Sequence, residues 1–289
     1  METFDPASLP LSKVHNLIQC SVAPRPIALA ATVDHEGLVN LSPFSFFNVF
    51  SIQPPILIFS PSRRGRDNTT KHTYENVLEV PEVTISIVDF NMVHQASLTS
   101  VEYPKGTNEF LKSGLTPVSA QRIRPPYVGE SPVAFECAVK QVVPLGDAGG
   151  AGNLVICEVL LIHVRDGLAD ERGNILPDRL DGVARMGNDF YVRASGAAIF
   201  GVPKPNARLG IGFDKIPPHI RGSRILSGND LGQLGNIEAL PDENSLLAFR
   251  RNPEYQDVLK LDADGRHAYA KKLLREGRLE DAWKVLLSV

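Results

Sequence analysis

The sequence predicts a mainly β fold of the α+β type, with an antiparallel barrel over the first two-thirds of the chain and a helical extension after it. Three observations support this prediction. Short apolar or alternating runs recur through the first 200 residues, turn signals rich in glycine and proline separate them, and few helical stretches lie between them. Strands joined by short turns pair antiparallel, whereas a doubly wound parallel sheet needs a helix between its strands.

Hydrophobic periodicity identifies the individual strands. Residues 27–33 (IALAATV) form a nearly unbroken apolar run, which is typical of a strand buried on both faces. A short turn and a return strand from 38 to 42 complete a hairpin. A second hairpin pairs the alternating run 133–140 with 154–165 across the glycine-rich loop 146–153.

Helices are few in this part of the chain. The segment 70–79 is predicted to be helical, because candidate N-cap residues precede it and Pro81 follows it. Residues 91–99 and 109–113 are shorter candidates.

The composition divides the chain into a barrel domain, residues 1–198, and an extension, residues 199–289. The segment 203–236 is rich in proline and glycine and predicts an extended arm, and from Asp242 onward the pattern is helical. The last helix is predicted to pack as a tail on the barrel or on a partner subunit. It carries one apolar stripe, formed by Leu279, Ala282, Trp283, Leu286 and Leu287.

Composition also excludes several classes of protein. A net charge of −3 with 22% charged residues lacks the basic excess of nucleic-acid binders. Three cysteines without C-x-x-C spacing argue against a disulfide framework. The N-terminus is unlike a signal peptide, and no run approaches the roughly 20 apolar residues of a membrane span, so we expect a cytoplasmic protein without membrane association.

Histidines and strand carboxylates suggest structural roles. The seven histidines show no metal-ligand spacing, so no metal site is predicted. His163 lies in a predicted strand, where a hydrogen-bonded structural role is favoured over catalysis. Glu136 and Glu158 fall on facing strands and are expected to make cross-strand pairs at the surface.

The first candidate binding segment is SPFSFFNVFSIQPP, residues 42–55. Pro43 interrupts regular strand pairing and leaves neighbouring backbone N–H groups available, while Ser42 and Ser45 add hydroxyl groups. A planar ring system with polar edges needs such a wall, with apolar side chains for its faces. A barrel core rich in phenylalanine explains the segment equally well.

The second candidate is the basic segment 60–73, SPSRRGRDNTTKHT. Arg63, Arg64, Arg66 and Lys71 precede a predicted helix start, where free N–H groups and the helix dipole favour an anion. Arginine and lysine add charge-assisted hydrogen bonds to a phosphate. The placement after a buried strand favours a phosphate site over a solvated basic loop.

Residues 25–55 closely resemble the opening of the flavin reductase-like FMN-binding domain family. Further matches follow in order, and the resemblance spans about residues 14–193. The further matching motifs are Lys71-His72-Thr73 with Asn76, Asn108-Glu109-Phe110 with Gly114-Leu115-Thr116, Glu130-Ser131-Pro132 with Phe135-Glu136-Cys137, Glu158-Val159 with Ile162-His163-Val164, and Arg185-Met186-Gly187 with Tyr191.

The resemblance implies a split β-barrel that binds FMN, usually as a homodimer. It implies that Thr32 and Asn40 lie near the flavin ring or ribityl chain. The isoalloxazine wall would consist of Ser42, Pro43, Phe44, Ser45, Phe46 and Phe47, and the phosphate would contact Ser60, Ser62, Arg64, Lys71 and Thr73. His72 departs from the family pattern, because many relatives carry Asp at that position.

The reaction that the resemblance implies is hydride transfer from NADH or NADPH to FMN, with the reduced flavin serving a flavin-dependent monooxygenase or another electron acceptor. The glycines at 149–152 join two strands and open no helix, so the nicotinamide nucleotide is expected to dock transiently over the flavin. No side chain is nominated as catalytic, because hydride moves between two rings. Two alternatives stay open: an electron carrier that retains FMN, and a non-catalytic module that binds a partner.

Overall fold

The structure, a computed structural model of the chain, describes residues 1–204 and 209–288. It divides into two compact units, Met1–Phe200 and Gly201–Val289. Within the described residues, no helix is long and apolar enough to cross a membrane.

The first unit is built on a seven-stranded antiparallel sheet, which confirms the predicted fold class. The strands are β1 (Arg25–Pro26), β2 (Ala28–Val33), β3 (Val39–Phe44), β4 (Phe47–Ile52), β5 (Pro55–Phe59), β6 (Glu82–Ile87), β7 (Pro117–Val118), β8 (Tyr127–Val128), β9 (Val133–Pro144), β10 (Asn153–Val164), β11 (Val183–Gly187) and β12 (Phe190–Arg193). The order in the large sheet is β3-β2-β6-β9-β10-β5-β4, so β3 and β4 are its edges. Strands β1, β11 and β12 form a second sheet, and β7 pairs with β8.

Strand β2 shows why the apolar run 27–33 needs burial on both faces. Leu29 belongs to one buried cluster, which includes Met92 and Phe110. Ala30 belongs to another cluster on the opposite face, which includes Phe59. Because neighbouring side chains point to opposite faces of a strand, both halves of the run are removed from water.

The helices of the first unit are α1 (Leu11–Ser21), α2 (His72–Glu79), α3 (Val93–Leu98), α4 (Glu109–Ser113) and α5 (Pro177–Leu180). Helix α2 begins two residues later than predicted, with Lys71 at the N-cap. Helix α4 matches its prediction: the Asn108 side chain caps it by accepting from the Phe110 N–H, and Gly114 ends it with a φ of 69°. A left-handed residue at this point is a common helix stop.

The second unit is helical and has its own apolar core. Its helices are α6 (Pro218–Arg221), α7 (Gly228–Leu234), α8 (Glu243–Arg250), α9 (Gln256–Leu259), α10 (Ala263–Arg275) and α11 (Leu279–Leu287). The apolar stripe of α11 contributes Trp283 and Leu286 to this core, together with Leu273 and Phe249. The stripe is therefore buried within the second unit itself, where the sequence predicted a tail packed elsewhere.

The extended arm predicted for 203–236 is wrong in part, because short helices occupy nearly half of its described residues. A 3₁₀ helix (Phe213–Lys215) and helices α6 and α7 occupy it, while residues 205–208 lie outside the described part of the chain. Pro218 stands in the first turn of α6, where a missing N–H costs nothing. Ser227 and Asp230 form a capping box on α7. Prolines and glycines here mark the ends of short helices.

Glu136 is another correction to the sequence prediction. Its side chain on β9 is fully buried and accepts hydrogen bonds from the backbone N–H groups of Gln121 (2.8 Å) and Arg122 (2.7 Å). His163 Nε2 lies 2.7 Å from the same carboxylate, as expected for a hydrogen-bonded strand histidine, and its structural role stays a prediction. A loop packs over the strand and encloses the carboxylate, which strand alternation alone does not reveal. Glu158 does form a surface pair, with Lys140 at 2.9 Å.

Candidate functional site

Predicted binding residues meet in one cavity at the β3 edge of the large sheet. Strand β3, the loop after β5 and the start of α2 contribute them. They are Asn40, Ser42, Arg64, Lys71 and Thr73. The cavity thus combines two cationic groups, two hydroxyl groups and one amide, all of which can donate hydrogen bonds to an anion.

Hydrogen bonds hold these side chains in place. Asn40 Nδ2 donates to the buried Thr73 Oγ1 at 2.9 Å, which joins β3 to the first turn of α2. Arg64 Nη1 donates to Thr69 Oγ1 at 2.9 Å and to the carbonyl oxygen of Thr70. The first amide groups of α2 have no acceptor within the helix, so they add donors at the same end.

The electrostatics of the cavity favour a negatively charged ligand. Burial, and then the charge of Arg64, lower the pKa of Lys71 from its ordinary value, while Glu102 opposes this change. Burial likewise lowers the pKa of His72, with Arg64, Lys105 and Lys71 adding to the effect and Glu75 opposing it. Lys71 Nζ makes no hydrogen bond or ion pair with any residue in the described ranges. An anion binding here would therefore meet an unneutralised ammonium group.

Sequence reasoning missed two acidic residues that line the same cavity, Glu102 and Glu109. Glu109 is buried and accepts from the Leu41 N–H at 2.9 Å, so it satisfies a backbone donor on the free side of edge strand β3. Burial raises the pKa of Glu109, and the Leu41 hydrogen bond partly offsets this. Glu109 belongs to the family motif Asn108-Glu109-Phe110, whereas no sequence pattern identified Glu102.

A second cavity, of about 240 Å³, continues from the first. Pro43 of β3 and Ser45, which follows β3, line it, and Ser100 lines both cavities. A third cavity, of about 390 Å³, shares Arg185 and Tyr191 with the second. These three neighbouring cavities, called the cleft below, are lined by the basic cluster, by Pro43 and Ser45 of the ring-wall segment, and by Arg185.

Arg185 brings positive charge to the far end of this cleft. Its guanidinium lies over the Tyr191 ring at 4.8 Å and donates to the Tyr191 hydroxyl at 2.6 Å. It stands opposite Arg25 in the β1–β11 pairing. Burial, followed by the charge of Arg185, lowers the pKa of Arg25. Arg185 forms no ion pair with a carboxylate in residues 1–204 and 209–288.

The remaining predicted residues lie outside these cavities. Thr32 is fully buried beneath α2, where its hydroxyl accepts from Asn76 Nδ2 at 3.1 Å. Phe44 and Phe47 pack in or against the core, and Phe46 is partly exposed. Ser60 is buried, and Ser62 is half-buried.

Close backbone packing surrounds Ser60. A Cβ on Gly152 would lie 2.6 Å from the Ser60 Oγ, so a larger residue there would force the Ser60 hydroxyl to move. A direct role of Thr32, Phe44, Phe46, Phe47, Ser60 and Ser62 in binding stays a prediction.

The second unit contains a larger cavity, of about 600 Å³, which Trp283, Lys284 and Asp242 help to line. None of the predicted binding residues lies there. Its size alone indicates no particular ligand, whereas the cleft gathers complementary donors and charges. We therefore take the cleft at the β3 edge as the candidate site.

Comparison with known sequences gives a consistent result for the first unit. The family model described as Flavin reductase like domain matches residues 21–179. An uncharacterised protein from Aquifex aeolicus is 37% identical over 183 residues, which cover 63% of this chain and 91% of that protein. The family match contains the whole of the basic cavity and ends before β11.

Two solved structures share the architecture. Nitrilotriacetate monooxygenase component B from Bacillus cereus superposes with a TM-score of 0.65 at 27% identity, covering 70% of this chain and 98% of that one. A candidate flavin reductase with a split barrel domain, from Shewanella frigidimarina, gives a TM-score of 0.59 at 26% identity, covering 71% of this chain and 100% of that one.

Proposed function

The chain belongs to the flavin reductase like domain family, and on that premise we propose that it binds FMN and transfers hydride to it from NADH or NADPH. The observation that carries the proposal is the basic cavity with Arg64, Lys71 and Thr73 at one end of a cleft. Pro43 of β3 and the following Ser45 line the neighbouring cavity of the same cleft.

The donor set of the basic cavity fits a phosphate monoester. Arg64 and Lys71 supply charge, and the hydroxyl of Thr73 and the first amides of α2 supply further donors. Lys71 carries no bonded counter-ion in the described structure, so a phosphate would neutralise a charge that is already partly removed from water. This chemistry favours FMN over riboflavin, which lacks the phosphate.

The other end of the cleft fits the ring and a second substrate. The bound flavin would supply the redox chemistry, while the protein orients the reactants and excludes water. The cavities beside Pro43 and Arg185 together fall within the size range of small-molecule sites. Arg185 has no carboxylate partner there, so it would attract the anionic phosphates of a nicotinamide nucleotide. No side chain needs to act as acid or base.

We further propose that the protein forms a homodimer through strand β4. This strand is an edge of the large sheet, and it exposes Val49, Phe50 and Ile52 at 54%, 64% and 79% of their surface. A bare apolar edge is a template for pairing with another chain, which natural proteins normally cover. A second copy of the chain would cover this edge with its own β4, because a two-fold symmetric dimer uses the same surface on both subunits.

The similarity to a monooxygenase component supports a flavin-dependent monooxygenase as the partner that consumes the reduced flavin. The proposal is tested by the absorption spectrum of the purified protein and by NADH and NADPH oxidation with and without added FMN. Nucleotide oxidation that requires added FMN supports the reductase. A tightly bound flavin without nucleotide oxidation would favour an electron carrier, and no flavin binding would refute both.

A further inference from the structure

The carboxylate of Glu102 forms an ion pair with Arg64, one of the two cationic residues of the proposed phosphate site. Arg64 Nε donates to Glu102 Oε1 at 2.9 Å, and Arg66 Nη2 lies 2.5 Å from Glu102 Oε2. Glu102 comes from the loop between α3 and α4, and it lines the basic cavity. The protein thus carries an internal anion at this position.

A carboxylate and a phosphate compete for the same face of a guanidinium. Arginine presents a planar fork of N–H donors that matches either group. In this structure Arg64 Nε donates to Glu102 and Arg64 Nη1 donates to Thr69 and Thr70, while Arg64 Nη2 has no hydrogen-bond partner among the described residues. Lys71, in contrast, has no bonded partner among the described residues. The phosphate site is therefore half occupied by the protein's own carboxylate.

The volume of the cavity leads to the same conclusion. It measures about 20 Å³, little more than the roughly 10–15 Å³ that one water molecule needs. That space is small for a phosphate group. Glu102 on the α3–α4 loop is one of the two carboxylates that line it, the other being Glu109 of α4.

The charge of Glu102 persists at neutral pH. Its hydrogen bond to Arg64, together with the charges of Arg64 and Arg66, keeps the pKa of Glu102 below its ordinary value, although burial opposes this. The ionisable groups around it on the packed elements are Arg64, Arg66, Lys71, His72 and Glu109. An incoming phosphate dianion meets like charge from Glu102 as long as that residue stays in place.

We propose that Glu102 is an intramolecular competitor of the flavin phosphate, which closes the site when flavin is absent and leaves Arg64 when flavin binds. The inference rests on the proposed phosphate site. Its consequence is that each binding event exchanges one anion for another at Arg64. The affinity for FMN is then lowered, and the flavin is a diffusing ligand that the protein can release to a partner.

The test compares Glu102→Gln with the wild type by titrating the flavin-free protein with FMN and with riboflavin, and by measuring how inorganic phosphate displaces FMN. Removing the competing charge is expected to tighten FMN binding roughly tenfold, a modest change because the pair is partly screened by solvent. Riboflavin affinity should stay the same. Inorganic phosphate should become a stronger competitor, and higher salt should reduce the difference between the proteins.

Glu82→Gln is the matched control. Glu82 makes the same kind of pair, with Arg124 Nε at 3.0 Å, and its side chain is 26% exposed against 37% for Glu102. It does not line the cleft. This variant should bind FMN like the wild type.

Two results would overturn the inference. If FMN binds Glu102→Gln equally or more weakly than the wild type, Glu102 positions Arg64 instead of competing for it. If the wild type itself binds FMN no better than riboflavin, the proposed phosphate site is refuted, and the proposal that Glu102 competes for it is refuted as well. The two failures are separable, because only the second is visible in the wild-type protein.

Discussion

Replacing Lys71 by methionine removes the ammonium group of the proposed phosphate site and keeps the length of the side chain. Lys71 is half-buried in the basic cavity and makes no ion pair within the described residues. A charge-assisted hydrogen bond to a buried partner is worth about 1.5–3 kcal/mol. Since no competing anion has to leave Lys71, most of that energy should appear in binding. We expect FMN affinity to fall roughly 10- to 100-fold.

Riboflavin makes the measurement specific, because it shares the ring and the ribityl chain but lacks the phosphate. The assay follows the quenching of flavin fluorescence during titration of the flavin-free protein. Lys140→Met is the control, since Lys140 pairs with Glu158 on the sheet and lies outside the cleft. Equal losses for FMN and riboflavin, or no loss for FMN, would refute the assignment of Lys71 to the phosphate.

The pH dependence gives an independent check on Lys71. Burial and the charge of Arg64 lower the pKa of this ammonium group below the ordinary lysine value of 10.5. Only the protonated form attracts phosphate, so FMN affinity should weaken as the pH rises into the alkaline range, sooner than for an ordinary lysine. Riboflavin affinity should not follow this change, and the Lys71→Met variant should lose it.

Three further predictions concern the fold and the dimer. Glu136→Gln should cost about 1–3 kcal/mol of unfolding free energy, because an NH2 group replaces one carboxylate oxygen and one buried backbone donor loses its acceptor. Burial opposes the change, but hydrogen bonding lowers the pKa of Glu136 from its ordinary value of 4.5. In urea titrations the stability difference should therefore persist above pH 4.5 and vanish as the carboxylate is protonated in acid. Trp283→Ala should destabilise the second unit by about 3–5 kcal/mol in thermal unfolding, since the ring is fully buried and its Nε1 donates to the Leu234 carbonyl at 3.0 Å. Ile52→Lys should convert a dimer to monomers in light scattering without lowering stability, and an unchanged mass would contradict the β4 interface.

The sequence predicted features that depend on neighbours along the chain. The apolar run of β2 required burial on both faces, and the hairpin of β9 and β10 followed from alternation and a glycine-rich loop. Arg64, Lys71 and Thr73 stand within ten residues of each other at a helix start. Their proximity in space was therefore a local consequence of the sequence.

The same local reasoning misjudged the segment 203–236. Proline and glycine were interpreted as signals of extended chain, yet Pro218 begins a helix and Ser227 caps another. Composition identifies breaks in regular structure, but it does not distinguish a loop from the ends of several short helices. Burial of Ile220 and Leu234 in the second unit's core decides that outcome.

Hydrophobic period, turn residues and local charge act over short distances along the chain. The antiparallel β architecture, the order of the family motifs and the basic helix start could therefore be predicted from the sequence alone. Only the tertiary structure placed Glu102 on Arg64, 38 positions away, and enclosed Glu136 beneath a loop. Such contacts depend on how strands and loops pack, and no residue pattern encodes which carboxylate reaches a given arginine. The charge available at the site is consequently a property of the folded chain.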